Sequence, residues 1–307
     1  MIDLNKTICI TGANGFVGNN LIKFLENFKY PDIHIINFRK TGCMIGLPKN
    51  ATVIHLVGKA HDLKNVSSPD EYYKVNTELT KEVFDAYLIS NAKVFITLSS
   101  VKAVADEVDG ELSEDVMPNP ITHYGKSKLL AEQYILSRLI PEDKRVYILR
   151  PCMIHGPGNK GNLNLLYSLV SKGLPWPLGL FENSRSFLSI ENLCFIIKEL
   201  IAREEIPSGV YNVADDVPLS TNQVINMIAE SNGKKANILK LNTNLIKLLA
   251  RGGDFLKLPL NSERLQKLTE SYLVNNDKIK AALGKPLPVS SKEGLIRTFQ
   301  SFASNAQ

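Results

Sequence analysis

Tyr124 and Lys128 stand four residues apart in the run His-Tyr-Gly-Lys-Ser-Lys. On a helix that spacing puts both side chains on one face, with Cβ atoms roughly 5–6 Å apart. A free phenol has a pKa of about 10 and exchanges protons poorly at neutral pH. A neighbouring ammonium favours the phenolate, so the spacing predicts a tyrosine tuned by Lys128 to act as acid or base on a carbonyl or an alcohol. Tyr-x-x-x-Lys also arises by chance on amphipathic helices. The run Val94 to Leu98 leading into Ser99 and Ser100 gives the pair a context, because it sets hydroxyls at the carboxyl end of a strand, where open α/β sheets bind ligands.

A second constellation lies about a hundred residues upstream. Gly12, Gly15 and Gly18 fall at the junction between the strand-like Thr7 to Ile10 and the helical Phe16 to Phe28. Such a turn lets backbone N–H groups approach a pyrophosphate at the positive end of a helix. The cofactor-binding segment read here is Gly12, Asn14, Gly15, Phe16, Val17 and Gly18, while Val17, Leu21, Phe24 and Leu25 repeat at helical spacing and mark a core face. About 20 residues beyond the glycines, a carboxylate would bind a ribose 2′-OH, whereas Arg accommodates a 2′-phosphate. The chain offers Arg39 and Lys40 there, and Asp32 sits at the wrong end of the strand, which favours NADP over NAD. Gly125-Lys126-Ser127 resembles the end of a P-loop, but Pro120 stands where that motif needs its first glycine.

The frame around these residues alternates apolar runs with amphipathic segments as far as Val146 to Leu149. That rhythm predicts an α/β fold, a Rossmann-type doubly wound parallel sheet, followed by a smaller α+β C-terminal lobe for substrate. The expected division is 1–155, with 186–215 returning to it, against 156–185 and 216–307. After Pro151 helices are expected near Ser189 to Arg203, Thr221 to Ser231, Asn244 to Leu249 and Ser290 to Phe302. With 307 residues, 44% hydrophobic and 22% charged, the chain can bury a large core and a smaller one. A net charge of +5 with acids and bases interspersed does not indicate nucleic-acid binding. Cys9, Cys43, Cys152 and Cys194 lack C-x-x-C spacing and read as reduced packing residues; no metal site is expected. No apolar stretch approaches a membrane span and no signal-peptide pattern opens the chain, so the expected location is cytoplasmic.

Taken together, Thr-Gly-x-x-Gly-x-x-Gly, Val53 to Gly58, Val75-Asn76, Ser99-Ser100, Tyr124-x-x-x-Lys128 and Arg150-Pro151-x-x-x-His155-Gly156-Pro157-Gly158 resemble the extended short-chain dehydrogenase/reductase family, whose members act on nucleotide sugars. The resemblance covers nearly the whole length. It implies that Ser100 binds the sugar O4, that Tyr124 is the general acid, and that Lys128 tunes Tyr124 and binds the nicotinamide ribose. It further implies that Leu56, Val57, Gly58, Asn76, Ser99 and Pro151 face the cofactor, with His55 a structural strand residue and His123 shaping a loop. The substrate half is most similar to bacterial reductases of UDP-4-keto-6-deoxy-N-acetylhexosamines. By that likeness Asn162 and Arg185 would hold the UDP diphosphate, Pro177 and Leu178 would line the uracil, and Arg264 would be a further diphosphate contact. His155 replaces the family's usual Tyr, and the stretch Thr41 to Thr52 is short. Val101-Lys102 stands where 4,6-dehydratases carry an Asp-Glu pair, so elimination of water lacks its acid and base.

The implied activity is NADPH-dependent reduction of a UDP-4-keto-6-deoxy-N-acetylhexosamine, giving a 6-deoxy amino sugar nucleotide for surface polysaccharide. A 4-epimerase that keeps NAD is the alternative, and a non-catalytic NADP sensor is disfavoured by the retained Ser100, Tyr124 and Lys128. Family members often pair two helices into a homodimer. Here those would carry Phe84, Tyr87 and Leu88 on one and Leu129, Leu130, Tyr134 and Ile135 on the other, residues that equally suit an intramolecular core.

Overall fold

Short runs rich in β-branched residues form strands apolar on both faces, which only a sheet covered on both sides can bury. Ile8–Thr11 and Thr52–His55 are buried along their whole length. The computed structural model describes residues 7–28, 30, 32–36, 47–59, 68–159, 161–256 and 261–304. In chain order the elements are β1 (Ile8–Thr11), α1 (Phe16–Asn27), β2 (Ile33–Ile36), β3 (Thr52–His55), α2 (Pro69–Tyr72, a π turn Tyr73–Glu78, then Leu79–Ile89), β4 (Val94–Leu98), β5 (Glu111–Leu112), α3 (His123–Leu136) and β6 (Arg145–Pro151). Next come β7 (Met153–His155), α4 (Asn162–Ser171), β8 (Phe187–Ser189), α5 (Ile190–Ala202), β9 (Gly209–Val213) and α6 (Thr221–Ser231). The last are α7 (Thr243–Leu256), α8 (Ser262–Thr269), β10 (Leu273–Val274), α9 (Asp277–Leu283) and α10 (Ser291–Ser304).

The chain divides into two units. One comprises residues up to Cys152 with Ile190–Ala214 and Val274–Pro288; the other comprises Met153–Ser189, Asp215–Leu273 and the residues from Val289 on. In the first unit six strands run parallel in the order β2-β1-β3-β4-β6-β9, the expected Rossmann-type sheet. The order reverses between β1 and β3, the switch point at which doubly wound sheets bind ligands. Parallel register keeps the carboxyl ends level: Thr11 pairs with His55 and His55 with Thr97. A core under α2 and α3 gathers Phe84, Tyr87, Phe95, Ile135, Val146 and Ile148, with Phe84 and Tyr87 rings 5.1 and 5.2 Å from Phe95.

That core takes in residues that suited a dimer face or an intramolecular core equally. Phe84, Tyr87 and Ile135 are at most 1% exposed, and burying each stabilises the unit by about 1.5–3 kcal/mol, so they are spent inside the unit. Leu130 is the exposed member of that group, at 44%. Cys9 and Cys194 are buried, and burial pushes their thiols up to about 11 and about 12, which keeps them unreactive. Cys43 lies outside the described residues.

The second unit has its own core, drawn from Leu163, Leu166 and Tyr167 of α4, Ile225 and Ile228 of α6, and Leu295, Phe299 and Phe302 of α10. The expected helix Thr221–Ser231 is found with those bounds, and the one expected over 244–249 extends to Thr243–Leu256. Helix α4 is not among the expected helices, because Gly161 and Gly173 close around a helix of only 10 residues and turn signals outweigh so short a periodic run.

Candidate active site

The entry to α3 fixes where Tyr124 stands. Thr122 caps the helix, its hydroxyl accepting from Gly125 N at 3.1 Å. The Asp106 carboxylate accepts from Ile121 N at 2.7 Å, from Thr122 N at 3.0 Å and from the Thr122 hydroxyl at 3.0 Å, which locks the loop into the cap. Ser100 stands at the end of β4 and caps a single turn, Val101–Ala103, by accepting from Lys102 N at 3.2 Å. That turn packs on α3 so closely that a Cβ on Gly125 would lie 2.3 Å from the Lys102 carbonyl oxygen and 2.8 Å from Pro120 Cβ. Gly125, a misleading P-loop lookalike in the sequence, is therefore the residue that lets the tyrosine helix touch the serine turn. Gly125→Ala should part the two and lower kcat by about 10²-fold, the cost of a misplaced catalytic group. Steady-state rates with an unchanged far-UV spectrum would verify it, and wild-type kcat would contradict it.

Ser100 and Tyr124 are hydrogen-bonded to each other. Burial raises the Tyr124 pKa above its ordinary value, the Ser100 hydrogen bond opposes the rise, and Tyr72, its ring 6.2 Å away, adds to it. The expectation that Lys128 lowers the tyrosine pKa is thus not met in this state. The ammonium donates to the Leu98 carbonyl at 2.8 Å, and burial holds Tyr124 as the neutral phenol, the form a general acid needs. Lys128 itself is 8% exposed; burial lowers its pKa to about 8, and Glu132 opposes the fall.

This fixes the sign of two pH effects. The Lys128 ammonium is present below about 8 and lost above it, so kcat/KM, which reports the free enzyme, should fall as pH rises through that value. Stability should respond oppositely: the unfolded lysine, with a pKa of about 10.4, binds more protons than the folded one across that window, and this residue's contribution to stability rises with pH there. A pH–rate profile beside thermal melts separates the two. Activity flat across the window would contradict the role given to Lys128.

Glu132, which the sequence reading passed over, continues the Tyr124 and Lys128 stripe by one more helical turn. Its carboxylate accepts from the Ser99 hydroxyl, and from Arg150 through Nε at 3.0 and 3.1 Å and Nη2 at 2.6 Å. Glu132 is 2% exposed and Arg150 5%. The fork ties α3 to β6 and, through Ser99, to the end of β4. Extending the four-residue spacing past Lys128 would have found Glu132.

Asn76 sits in the π turn of α2, a distortion that recurs at functional sites. Its side chain accepts from Lys59 N at 2.7 Å and donates to Lys59 O at 3.1 Å and to the Ser127 hydroxyl at 3.0 Å, joining the loop after β3 to α3. A Cβ on Gly58 would stand 3.1 Å from Lys128 Nζ and 3.4 Å from Asn76 Oδ1, so Gly58, Asn76 and Lys128 converge. His55 is structural, as expected. Thr80 donates to Asn76 O, so it accepts from His55 Nε2 at 3.1 Å, and His55 Nδ1 accepts from Thr11 at 2.8 Å. Burial lowers its pKa to about 3. His123 is exposed and bonds Tyr73 at 3.1 Å, away from proton transfer.

The residues after β1 and β3 fit a dinucleotide. Gly12 adopts φ +74, and a Cβ there would lie 2.7 Å from Leu56 C and Val57 N, so the loops after β1 and β3 approach at a distance only glycine permits. Gly18 is buried, while Gly15 caps α1 without a side chain on its first-turn N–H groups; Asn14 and Gly15 are exposed and Phe16 and Val17 half-buried. That leaves a positive helix end open to phosphate at the switch point of the sheet. Pro151 is buried at the end of β6. Arg39 and Lys40 lie outside the described residues.

Comparison with known proteins agrees with this arrangement: residues 8–214 match the model of the NAD dependent epimerase/dehydratase family. The chain belongs to that family. Its members are NAD(P)-dependent enzymes acting on nucleotide sugars, and this epimerase/dehydratase family protein is an enzyme of that kind. It is 30% identical to a UDP-glucose 4-epimerase of Vibrio cholerae, over 97% of this chain and 95% of the relative. It is 28% identical, over the same shares of the two chains, to an N-acetyl-alpha-D-glucosaminyl-diphospho-ditrans,octacis-undecaprenol 4-epimerase of Escherichia coli. In fold it is similar to RMD from Pseudomonas aeruginosa complexed with NADPH, with a TM-score of 0.75 and 21% identity over 99% of this chain and 100% of that one.

The remaining expected site residues of this family protein all fall in the second unit. Asn162 is exposed at the start of α4, Pro177 is half-buried, and Leu178, 3% exposed, has its side chain in that unit's core. Arg185 donates to Lys267 O and lies 3.5 Å from Glu270, so its fork already has partners within the unit. Arg264 is exposed on α8, beside the Asn261 cap. His155, where the resemblance leads one to expect Tyr, bonds through its ring Nδ1 to Thr298 at 2.9 Å.

Proposed function

We propose that the protein exchanges a hydride and a proton at C4 of a UDP-N-acetylhexosamine, working as a 4-keto reductase on a UDP-4-keto-6-deoxy sugar with NADPH. The observation that carries this reading is the Ser100–Tyr124 hydrogen bond at the carboxyl end of β4, with Lys128 one helical turn on from Tyr124 and its ammonium on the Leu98 carbonyl of the same strand end. A bound nicotinamide cofactor supplies the hydride. Ser100 holds the C4 carbonyl oxygen, and Tyr124, kept as the neutral phenol by burial, gives that oxygen its proton as it becomes an alkoxide. Lys128 supplies fixed positive charge beside the developing anion. On the substrate side, Asn162, Arg185 and Arg264 would hold the diphosphate, with Arg185 exchanging Glu270 for phosphate oxygens, and Pro177 and the backbone of Leu178 would meet the uracil.

Reduction and NADP are favoured by residue types: Arg39 and Lys40 follow the second strand with no acid among them. The Vibrio cholerae relative, matched over nearly the full length of both chains, favours a second reading, a UDP-sugar 4-epimerase that retains NAD. One pair of incubations separates them. The reductase consumes NADPH stoichiometrically with UDP-4-keto-6-deoxy-GlcNAc and prefers it to NADH. The epimerase consumes neither, keeps NAD through purification and interconverts UDP-GlcNAc with UDP-GalNAc.

A further inference from the structure

Helix α7 of the second unit turns only a narrow face to its own core. Ile246 is 2% exposed and Ala250 is fully buried, while Leu245, Leu248, Leu249 and Phe255 are 50%, 64%, 54% and 89% exposed. At 3.6 residues per turn those four project along one continuous stripe beside the buried face. Lys247 and Arg251 lie along one edge of that stripe, and Lys240 precedes the helix; all three are exposed, and among the described residues none of them is in an ion pair. The acid of the helix, Asp254, is engaged by the backbone N–H and hydroxyl of Ser262.

We infer that α7 docks the enzyme on the surface of an anionic lipid bilayer, the leucines and Phe255 entering the acyl boundary and Lys240, Lys247 and Arg251 meeting lipid phosphates. An exposed aromatic and leucine stripe edged by bases on a helix lying along the protein surface is the pattern of interfacial helices. Charge decides among occupants. A second copy docking by two-fold symmetry would set the same patch against itself, facing Lys247 and Arg251 toward their own counterparts, whereas an anionic membrane neutralises them. Among the described residues no helix is long and apolar enough to cross a membrane, so the protein would lie on the bilayer without spanning it.

The test is flotation of the full-length protein with phosphatidylcholine vesicles that contain or lack phosphatidylglycerol. The expected result is retention on the anionic vesicles alone, released by salt. Neutralising Lys247 and Arg251 to Gln should lower partitioning roughly fivefold for each base. Leu248→Ser with Phe255→Ser should abolish retention while leaving turnover of the soluble enzyme unchanged, which also shows that the variant is folded. A Phe255→Trp reporter should shift its emission to the blue on anionic vesicles. Wild-type protein that stays with the soluble fraction on both vesicle types overturns the inference. So does equal retention by neutral vesicles, or a Leu248→Ser variant whose only change is conversion of a dimer to a monomer.

Discussion

Tyr124→Phe lowers turnover by about 10²- to 10⁴-fold, the range a positioned general acid contributes. The substitution removes one hydroxyl. The ring keeps its edge-on contact with Tyr72 and its place in the first turn of α3, whose cap is built by Thr122 and Asp106 and not by the tyrosine. Cofactor affinity, read by fluorescence titration, should therefore stay within about threefold of wild type, an effect below 1 kcal/mol. A collapse of both affinity and turnover would mean that Tyr124 is a structural residue. Turnover near wild type would mean that the proton comes from elsewhere.

The largest effect on stability is expected at Glu132, a position that touches no substrate in the proposed mechanism. Removing its carboxylate leaves the Arg150 guanidinium buried without its bidentate partner and Ser99 without its acceptor. Breaking a buried pair from one side costs about 3–5 kcal/mol, far more than the pair contributes over an apolar replacement, because the abandoned charge cannot reach water. Glu132→Ala should accordingly destabilise the enzyme by that amount in urea unfolding. The double variant Glu132→Leu with Arg150→Met should recover most of the loss. If Glu132→Ala costs under about 1 kcal/mol, the network is solvated in solution and does not hold Ser99 and Ser100 in place.

The parts of this account legible in the sequence are those governed by local spacing. Three glycines at a strand-to-helix junction and Tyr124 with Lys128 one helical turn apart need nothing from the rest of the chain to be meaningful. What escaped the sequence depends on which elements touch. Glu132 and Arg150 meet only because α3 lies over β6, and the contact that makes Gly125 necessary comes from Lys102, far along the chain. The tuning of Tyr124 by Lys128 is not met for a related reason: spacing sets the two on one helix face, and the Leu98 carbonyl that takes the ammonium belongs to another element, the end of β4. Phe84, Tyr87 and Ile135 suit an interface or a core equally well as residue types, and their packing against Phe95 of β4 decides for the core. The NADP preference still rests on the identities of Arg39 and Lys40 alone.

The central claim, chemistry at the sugar C4 served by Ser100 and Tyr124, is tested most directly by following a label. NADPH deuterated at the transferable position of its nicotinamide is incubated with the enzyme and UDP-4-keto-6-deoxy-GlcNAc, and the product is read by NMR. The expected result is deuterium on C4 alone, in a single configuration, with formation of the labelled product slowed at least about 10²-fold in Tyr124→Phe. Deuterium on another carbon, or a sugar that carries none while NADPH is consumed, would contradict it.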